Sequence, residues 1–248
     1  MFIQRNIKPY ILELLQSFKI VTIAGPRQSG KTTLSKEIAK ELGFSYYTMD
    51  DETILKAAKD DPITFAKQLV KSPAVIDEIQ MAIELVKALK MVVDEENRNG
   101  MFLLTGSADL FKMSVINESL AGRMVSVNLF PFSQYEIHHK SDNLIDMLFS
   151  GKISDRNFKA ISVESQVDIM VKGGFADVYT KSQRISNAWF ESYIAARIEK
   201  DLSLIKRVSQ ENKSEIFKLL SLLAHNNANL LKYNSLSQHL AIKDMTVK

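Results

Sequence analysis

The sequence predicts an α/β protein, with a parallel sheet of five strands, helices on both faces of the sheet, and an all-helical region after it. Short apolar runs alternate with amphipathic segments of helical length through residues 1–132, which is typical of a parallel sheet wrapped by helices. Beyond Pro131 the helical segments continue without a strong strand pattern. We therefore expect a sheet domain at 1–132, a helical region at 133–208 and a third segment at 209–248.

Composition fits a globular protein and excludes several kinds of site. The 248 residues are 46% hydrophobic and 25% charged, and the formal net charge is +3. No apolar run approaches the roughly 18 residues of a membrane-spanning helix, and the first residues lack a cleavage site, so we expect a cytoplasmic protein without a membrane span. Cysteine is absent, which excludes disulfides, thiolate zinc sites and cysteine nucleophiles.

Residues 1–17 are predicted to form a short helix, which is followed by the first strand and a glycine-containing loop. Residues 20–24 are apolar, and residues 25–32 read GPRQSGKT, which fits the pattern GxxxxGK[ST]. The next helix ends at Gly43. Its predicted buried face consists of Leu34, Ile38, Ala39 and Leu42. A turn that matches by chance is the alternative, and the flanking strand and helix disfavour it.

This loop has the composition of a phosphate-binding loop, the Walker A motif of P-loop NTPases. Its glycines let the backbone wrap around a diphosphate, and the positive end of the following helix faces the same anion. Lys31 is expected to reach the β and γ phosphates, and Thr32 to bind Mg²⁺. The predicted nucleotide-binding residues are Gly25, Pro26, Arg27, Gln28, Ser29, Gly30, Lys31, Thr32 and Thr33.

A third strand carries two carboxylates. The second strand, at 44–49, leads into helices that begin after Asp51 and Asp61. The strand at 73–78 then ends in Asp77 and Glu78 and reads as a Walker B element, in which Asp77 holds Mg²⁺ through water and Glu78 orients or deprotonates the attacking water. A buried strand with a solvent-facing acidic end is the alternative. Because a glutamate directly after the aspartate places a base beside the metal, hydrolysis is favoured over transfer to an acceptor.

The last two strands supply further candidates. A helix at about 81–97 precedes the fourth strand, 101–105, and residues 123–129 alternate as the fifth. In P-loop ATPases with an extra strand between the two Walker strands, a polar side chain at the end of that extra strand touches the γ-phosphate or the lytic water. Thr105 and Ser107 are the candidates here, and a purely structural Thr-Gly turn is the alternative.

The rest of the chain is predicted to be helical. Ser133 and Glu136 form a capping box, residues 173–175 (GGF) interrupt the chain, and a long helix spans 187–205. Residues 209–248 resemble the start of a winged helix-turn-helix, with Ser235 capping its second helix. The recognition helix would begin about where the sequence ends, so we expect a truncated chain; a small helical bundle is the alternative.

Together these motifs resemble a family of prokaryotic ATP-binding proteins of the AAA+ superfamily, in which an AAA domain precedes a helical region, a winged-helix module and an endonuclease-like domain. The resemblance implies an ASCE-type P-loop fold, with ATP and Mg²⁺ as ligands. It also implies a role for Arg123, which in such proteins reaches the γ-phosphate of a neighbouring subunit; an arginine that braces the sheet edge is the alternative. The segments that carry it are GPRQSGKTTL (25–34), MDD (49–51), DPITFA (61–66), VIDEIQ (75–80), LLTGS (103–107), SLAGR (119–123), PFSQYE (131–136), GGF (173–175) and WFESYI (189–194).

The sequence thus favours a Mg²⁺-dependent ATPase that acts as a conformational switch or motor, with Lys31, Glu78, Ser107 and Arg123 as catalytic residues and Thr32 and Asp77 as metal ligands. Its expected partners are further copies of the chain, as a homo-oligomer, and DNA, through the incomplete winged helix. Two alternatives stay open: a DNA-associated regulator or scaffold with ATP as a structural ligand, and a P-loop small-molecule kinase. The family commonly has Pro-Glu after GGF, whereas this chain has Ala176 and Asp177. No nuclease activity is carried over.

Overall fold

The computed structural model describes residues 3–96, 98–106, 122–140, 144–151, 160–205 and 210–240. Up to the last strand its elements are α1 (Lys8–Ser17), β1 (Ile20–Ala24), α2 (Lys31–Leu42), β2 (Ser45–Thr48), α3 (Glu52–Asp60), α4 (Pro62–Leu69), β3 (Ala74–Asp77), a 3-10 helix (Ile79–Ala82), α5 (Ile83–Glu95), β4 (Phe102–Gly106) and β5 (Met124–Asn128). After β5 come α6 (Gln134–Ile137), α7 (Leu144–Phe149), α8 (Val163–Lys172), α9 (Gln183–Ile205), α10 (Gln210–His225) and α11 (Tyr233–Leu240).

The five strands form a parallel sheet in the order β2-β3-β4-β1-β5. β4 therefore lies between β1 and β3, the two strands that precede the predicted Walker motifs. Because the strands are parallel, their carboxyl ends meet at one edge, which is where ligands bind in open α/β sheets. The predicted α/β class and the five-stranded parallel sheet are confirmed.

Alternate residues of each strand enter two separate cores, one on each face of the sheet. Val21 and Ile23 of β1 pack with α1 and α2, whereas Ile20 and Ala24 pack with α3, α4 and α5. Burial on both faces explains why the strands are continuous apolar runs. Residues of the face covered by α1 and α2 are Ile11, Leu14, Leu15, Leu34, Ile38, Ala39, Val75, Leu103, Val127 and Leu129.

Helix ends follow the local sequence signals. The Asp51 side chain accepts hydrogen bonds from the amides of Thr53 and Ile54 and thereby starts α3. Asp61 caps α4, with Pro62 at the first helical position. Gly43 ends α2 in the left-handed conformation.

Two predicted features after β5 are also present. Ser133 and Glu136 form both hydrogen bonds of a capping box at the start of α6. Gly174 lies against the chain at Phe132, whose amide donates to the Gly174 carbonyl across 2.7 Å. A Cβ at Gly174 would collide with the Phe132 carbonyl oxygen, so the second glycine of GGF allows this close approach.

Three helical predictions need correction. The first helix begins only at Lys8. Leu42 was predicted on the buried face of α2 but is 42% exposed, because it is the last residue of that helix, just before the chain turns at Gly43. Ser235 does not cap α11, which already begins at Tyr233. The first turn of α11 is instead closed by backbone bonds, because the carbonyl of Lys232 accepts from the amides of Ser235 and Leu236.

The chain divides into two compact units, Met1–Lys181 and Ser182–Lys248. The predicted bounds at 132/133 and 208/209 stay predictions. So does the winged helix, because its third helix falls at 241–248, outside the described residues. Among the helices that the structure describes, none combines the length and the apolar character needed to cross a membrane.

Candidate nucleotide site

The loop between β1 and α2 has the backbone shape that its glycines permit. Gly30 is left-handed, with φ +93°, and Gln28 also has a positive φ of 61°. At Gly25 a Cβ would collide with the carbonyl oxygen of Leu129. Side chains at positions 25 and 30 would therefore strain the loop, whereas glycine lets it pass close to β5 and turn into the first turn of α2.

Lys31 begins α2, and its side chain folds back into the loop. The residue is only 5% exposed. Its Nζ donates to the carbonyls of Gly25 at 3.1 Å and Pro26 at 2.9 Å. An ammonium group is thus held inside the loop beside the positive end of a helix, an arrangement that attracts anions.

Asp77 ends β3 and is 2% exposed. Its Oδ2 accepts hydrogen bonds from Thr32 Oγ1 at 2.9 Å and from the Tyr46 hydroxyl at 2.7 Å. Its Oδ1 accepts from Thr105 Oγ1. Three hydroxyls from three elements therefore satisfy a buried carboxylate, and the two predicted magnesium ligands are in direct contact.

Tyr46 reaches Asp77 from the neighbouring strand. In the pairing of β2 with β3 it lies opposite Val75, so it shares the α2 face of the sheet with Asp77. Burial and the hydrogen bond to the Asp77 carboxylate raise the pKa of Tyr46 well above its usual value. The phenol therefore stays protonated and donates.

Glu78, the predicted base, has an unusual backbone. Its φ is +57°, in the left-handed region that residues other than glycine rarely adopt. Its amide donates to Thr105 Oγ1 at 3.2 Å, and its carboxylate accepts from Gln80 Nε2. Within the described residues Gln80 Oε1 is buried and has no hydrogen-bond partner. Thr105 thus ties Glu78 to Asp77, and Gln80 holds the Glu78 side chain.

Arg5 joins the loop to the segment after β5. It is 7% exposed, and its guanidinium donates to the carbonyls of Ser29 at 2.9 Å and Phe130 at 2.5 Å and to Glu136 at 2.9 Å. It also lies 4.7 Å from the ring centroid of Phe132. Burial lowers the pKa of Arg5, and Glu136 opposes this shift. The phosphate loop is therefore braced from behind by a buried ion pair.

A cavity of about 270 Å³ adjoins the loop at the start of α2. Gly30 and Thr33 form its wall on the loop side. Its other lining residues combine apolar side chains with two charged ones and a threonine: Ile3, Leu34, Phe132, Ala176, Tyr179, Arg5, Glu37 and Thr180. Apolar walls beside a few polar groups are typical of small-molecule sites.

The other two predicted catalytic residues are not brought to this edge by the described structure. Ser107 lies outside the described residues. Arg123 directly precedes β5, at the amino end of the sheet, and its guanidinium makes two hydrogen bonds to the carboxylate of Asp94 on α5. The Arg123 side chain therefore lies at the opposite end of the sheet from the loop. A role at a neighbouring subunit stays a prediction.

Tyr46, Arg5 and Gln80 were absent from the sequence-based site. Tyr46 carries a detectable signal, because strand alternation puts it on the same face as Asp77 once β2 is known to pair with β3. Gln80 is part of the segment VIDEIQ, but sequence alone gives it no partner. Arg5 lacks a local signal, since its ion-pair partner lies 131 residues away.

The donor set fits a magnesium ion. Thr32 and Asp77 offer hydroxyl and carboxylate oxygens, the ligands that Mg²⁺ prefers. In the part of the chain that the structure describes, no group of three or more His, Cys, Asp or Glu side chains could hold a metal ion. Nucleotide-dependent sites generally use one or two carboxylates together with substrate phosphates, so no such group is required.

Comparisons with known proteins agree with this architecture. Residues 17–138 match the AAA_14 family model, described as an AAA domain, and residues 163–248 match DUF8612, a domain of unknown function. Two uncharacterized proteins, one from Mycobacterium bovis and one from Mycobacterium tuberculosis, are each 26% identical over 247 residues, which is 99% of this chain and 49% of theirs. The chain spans about half the length of these curated relatives.

Two solved structures are also similar. AMPPCP-bound DnaA from Aquifex aeolicus has a TM-score of 0.42 at 14% identity, covering 96% of this chain and 77% of that one. A RuvB mutant from Thermogota maritima has a TM-score of 0.41 at 16% identity, covering 99% and 85%. Likenesses at this level add nothing to what the sheet topology establishes. Residues 17–138 are thus similar to an AAA domain, as predicted, and this match supports, at a general level, a nucleotide-binding protein of the ATPase type.

Proposed function

We propose that this chain, whose residues 17–138 are similar to an AAA domain, binds ATP with Mg²⁺ at residues 25–33 and hydrolyses it as a conformational switch or motor. The observation that carries the proposal is the contact between Thr32 and Asp77. It unites the phosphate loop with the predicted metal-binding carboxylate at the carboxyl edge of the sheet. Glu78 directly follows Asp77 in the chain, which would place a base for the attacking water beside the metal ion.

The loop itself fits a triphosphate. Lys31 and the first turn of α2 supply positive charge to the β and γ phosphates. Ser29 Oγ is buried and has no hydrogen-bond partner among the described residues, and a phosphate oxygen would be an acceptor for it. The cavity beside Thr33 and Tyr179 is the proposed place for the nucleobase.

The proposed chemistry uses few residues. Thr32 and Asp77 would hold Mg²⁺, which when bound neutralises charge on the phosphates. Glu78 orients the attacking water and accepts its proton. Thr105 fixes the position of Glu78 relative to Asp77, since its hydroxyl accepts from the Glu78 amide and donates to the Asp77 carboxylate. The water would attack the γ phosphorus while the bond from that phosphorus to the bridging oxygen breaks and ADP leaves, and Lys31 would hold the β and γ phosphates during this step.

The test is phosphate release from Mg·ATP without an added acceptor, for the wild type, Glu78→Gln and Glu84→Gln. Glu84 is an exposed glutamate on α5 and serves as the matched control. We expect Glu78→Gln to retain ATP and to hydrolyse it on the order of 100-fold more slowly, as loss of a positioned base should cause. Turnover of Glu78→Gln at the wild-type rate would reject the assignment.

The same assay separates the proposal from the kinase alternative, because a kinase would release phosphate only slowly without its acceptor. Light scattering with and without ATP, on the wild type and Arg123→Ala, tests the proposed homo-oligomer.

Titration of the protein with duplex DNA at several salt concentrations tests DNA binding, which should weaken as salt rises. The cytoplasmic location also stays a proposal.

A further inference from the structure

Among the described residues the Asp77 carboxylate accepts hydrogen bonds from three hydroxyls, and one of the three comes from a strand that the proposed function does not use. Thr32 lies in the phosphate loop, and Thr105 ends the strand beside β3. The remaining donor is the Tyr46 hydroxyl, 2.7 Å from Oδ2. It comes from β2, a strand to which the proposed function assigns no role.

Several contacts fix the position of Tyr46. Its ring packs on the core formed with α1 and α2, and Lys36 Nζ lies 5.1 Å from the ring centroid. The pairing of Thr48 with Asp77 keeps the two strands in register up to the site. The hydroxyl is therefore delivered by the sheet itself, and a tyrosine side chain is long enough to reach the carboxylate from two residues back along β2.

The donors occupy the Asp77 oxygens unequally. A carboxylate has about four lone-pair positions, two on each oxygen. Hydroxyls of described residues fill both positions on Oδ2, through Thr32 and Tyr46, and one on Oδ1, through Thr105. Among the described residues one lone-pair position on Oδ1 has no hydrogen-bond donor and could bind a metal ion or its water, and without Tyr46 a second position would open on Oδ2.

We propose that Tyr46 is a positioning residue, which orients the Asp77 carboxylate so that Oδ1 is the oxygen presented to Mg·ATP. This inference rests on the proposed function, through the metal-binding role of Asp77. Hydrogen-bond partners that orient a metal-binding side chain are worth about 10- to 100-fold in metal affinity or activity. Because the Tyr46 hydroxyl donates to the Asp77 carboxylate, we expect Tyr46 to act on nucleotide binding through the metal ion.

The test uses Tyr46→Phe, which removes the hydroxyl and keeps the ring. Tyr47→Phe is the matched control: Tyr47 is the next residue on β2, faces the other core, and packs edge-on against Phe65 with 6.0 Å between ring centroids. Calorimetry measures the Kd of a non-hydrolysable ATP analogue in EDTA and in Mg²⁺. We expect Tyr46→Phe to match the wild type in EDTA and to lose roughly 10-fold of the Mg²⁺-dependent gain. Tyr47→Phe should retain the whole gain.

A double-mutant cycle with Asp77→Asn tests whether the effect of Tyr46→Phe passes through Asp77. In the Asp77→Asn background, Tyr46→Phe should have no further effect on the Mg²⁺-dependent gain. A full gain in Tyr46→Phe, or an equal loss in EDTA and in Mg²⁺, would overturn the inference. A wild type that binds the analogue equally well with and without Mg²⁺ would overturn the proposed metal site as well, so the two failures are distinguishable.

Discussion

The hydroxyl of Thr32 donates a hydrogen bond to the carboxylate of Asp77 across 2.9 Å, although the two residues are 45 positions apart. One stands at the start of α2 and the other at the end of β3. The strands that lead to them are not neighbours, since β4 lies between. The contact therefore depends on the whole sheet order, and it brings a hydroxyl and a carboxylate to the place where a phosphate-bound metal ion needs them.

Lys31→Ala should weaken ATP binding. The ammonium group lies inside the phosphate loop, and a hydrogen bond to a charged group contributes about 1.5–3 kcal/mol, so we expect a Kd roughly 10- to 100-fold higher. Lys40→Ala, on the exposed side of α2, is the control and should bind as the wild type does. Equal Kd values for the wild type and Lys31→Ala, measured by calorimetry, would contradict the placement of phosphate in this loop.

Arg5→Ala should destabilise the sheet domain. Removal of one partner from a buried ion pair leaves an uncompensated charge at Glu136 and costs about 3–5 kcal/mol. Chemical denaturation followed by far-ultraviolet circular dichroism measures the loss, with the exposed Arg184→Ala as control. Glu136→Gln added to Arg5→Ala should cost little more, because the charge that was left unpaired is then gone. Additive losses would show that the two side chains are not coupled.

Gly174→Ala should disturb the contact between Gly174 and Phe132, which lies a few residues after β5. A methyl group there meets the Phe132 carbonyl, and forced overpacking typically costs about 1–3 kcal/mol. The Phe132 amide, which donates to the Gly174 carbonyl, should exchange with deuterium faster. In Gly43→Ala, where a methyl meets nothing within 4 Å but φ is +69°, stability should fall while protection at Phe132 stays unchanged. If the Phe132 amide of Gly174→Ala exchanges as slowly as that of the wild type, the close approach of Gly174 to Phe132 is refuted.

The ion pair of Arg123 with Asp94 should make stability depend on acid. The hydrogen bond from Arg123 lowers the pKa of Asp94 below its usual value of 3.8, so the folded state binds this proton less readily than the unfolded state. The contribution of the pair is then present above that value and is lost as the pH falls through the lower folded-state pKa.

Both side chains are largely solvent-screened, so the effect should be small. Comparison of wild type and Arg123→Ala across this range checks it: the stability difference should shrink as the pH falls from 5 toward 2. A difference that grows with acid would have the wrong sign.

Much of the fold was predictable because its signals are local. The strand at 20–24, the caps at Asp51 and Asp61, and the capping box of Ser133 depend on residues a few positions apart, and each is present in the structure. The loop at 25–32 is likewise a local pattern. Motif spacing also paired it with Asp77, because both motifs end strands of one parallel sheet.

What could not be predicted depends on tertiary contacts. The partners of Arg5 lie in three separate segments, and no periodicity connects them. Tyr46 needed the strand order before its face could be assigned. Arg123 was predicted to reach a γ-phosphate because it lies near the fifth strand. Its reach depends on which end of β5 it occupies, and its partner there, Asp94, is on a helix.

The ion pair between Arg5 and Glu136 can form only late in the synthesis of the sheet domain. Glu136 is added to the growing chain 131 residues after Arg5. At translation rates of about 5–20 residues per second, the guanidinium waits on the order of ten seconds for its carboxylate. During that interval the nascent chain already contains every residue of the phosphate loop but lacks the ion pair between Arg5 and Glu136. A nascent chain stalled before Glu136 should therefore bind nucleotide less tightly than one stalled beyond it.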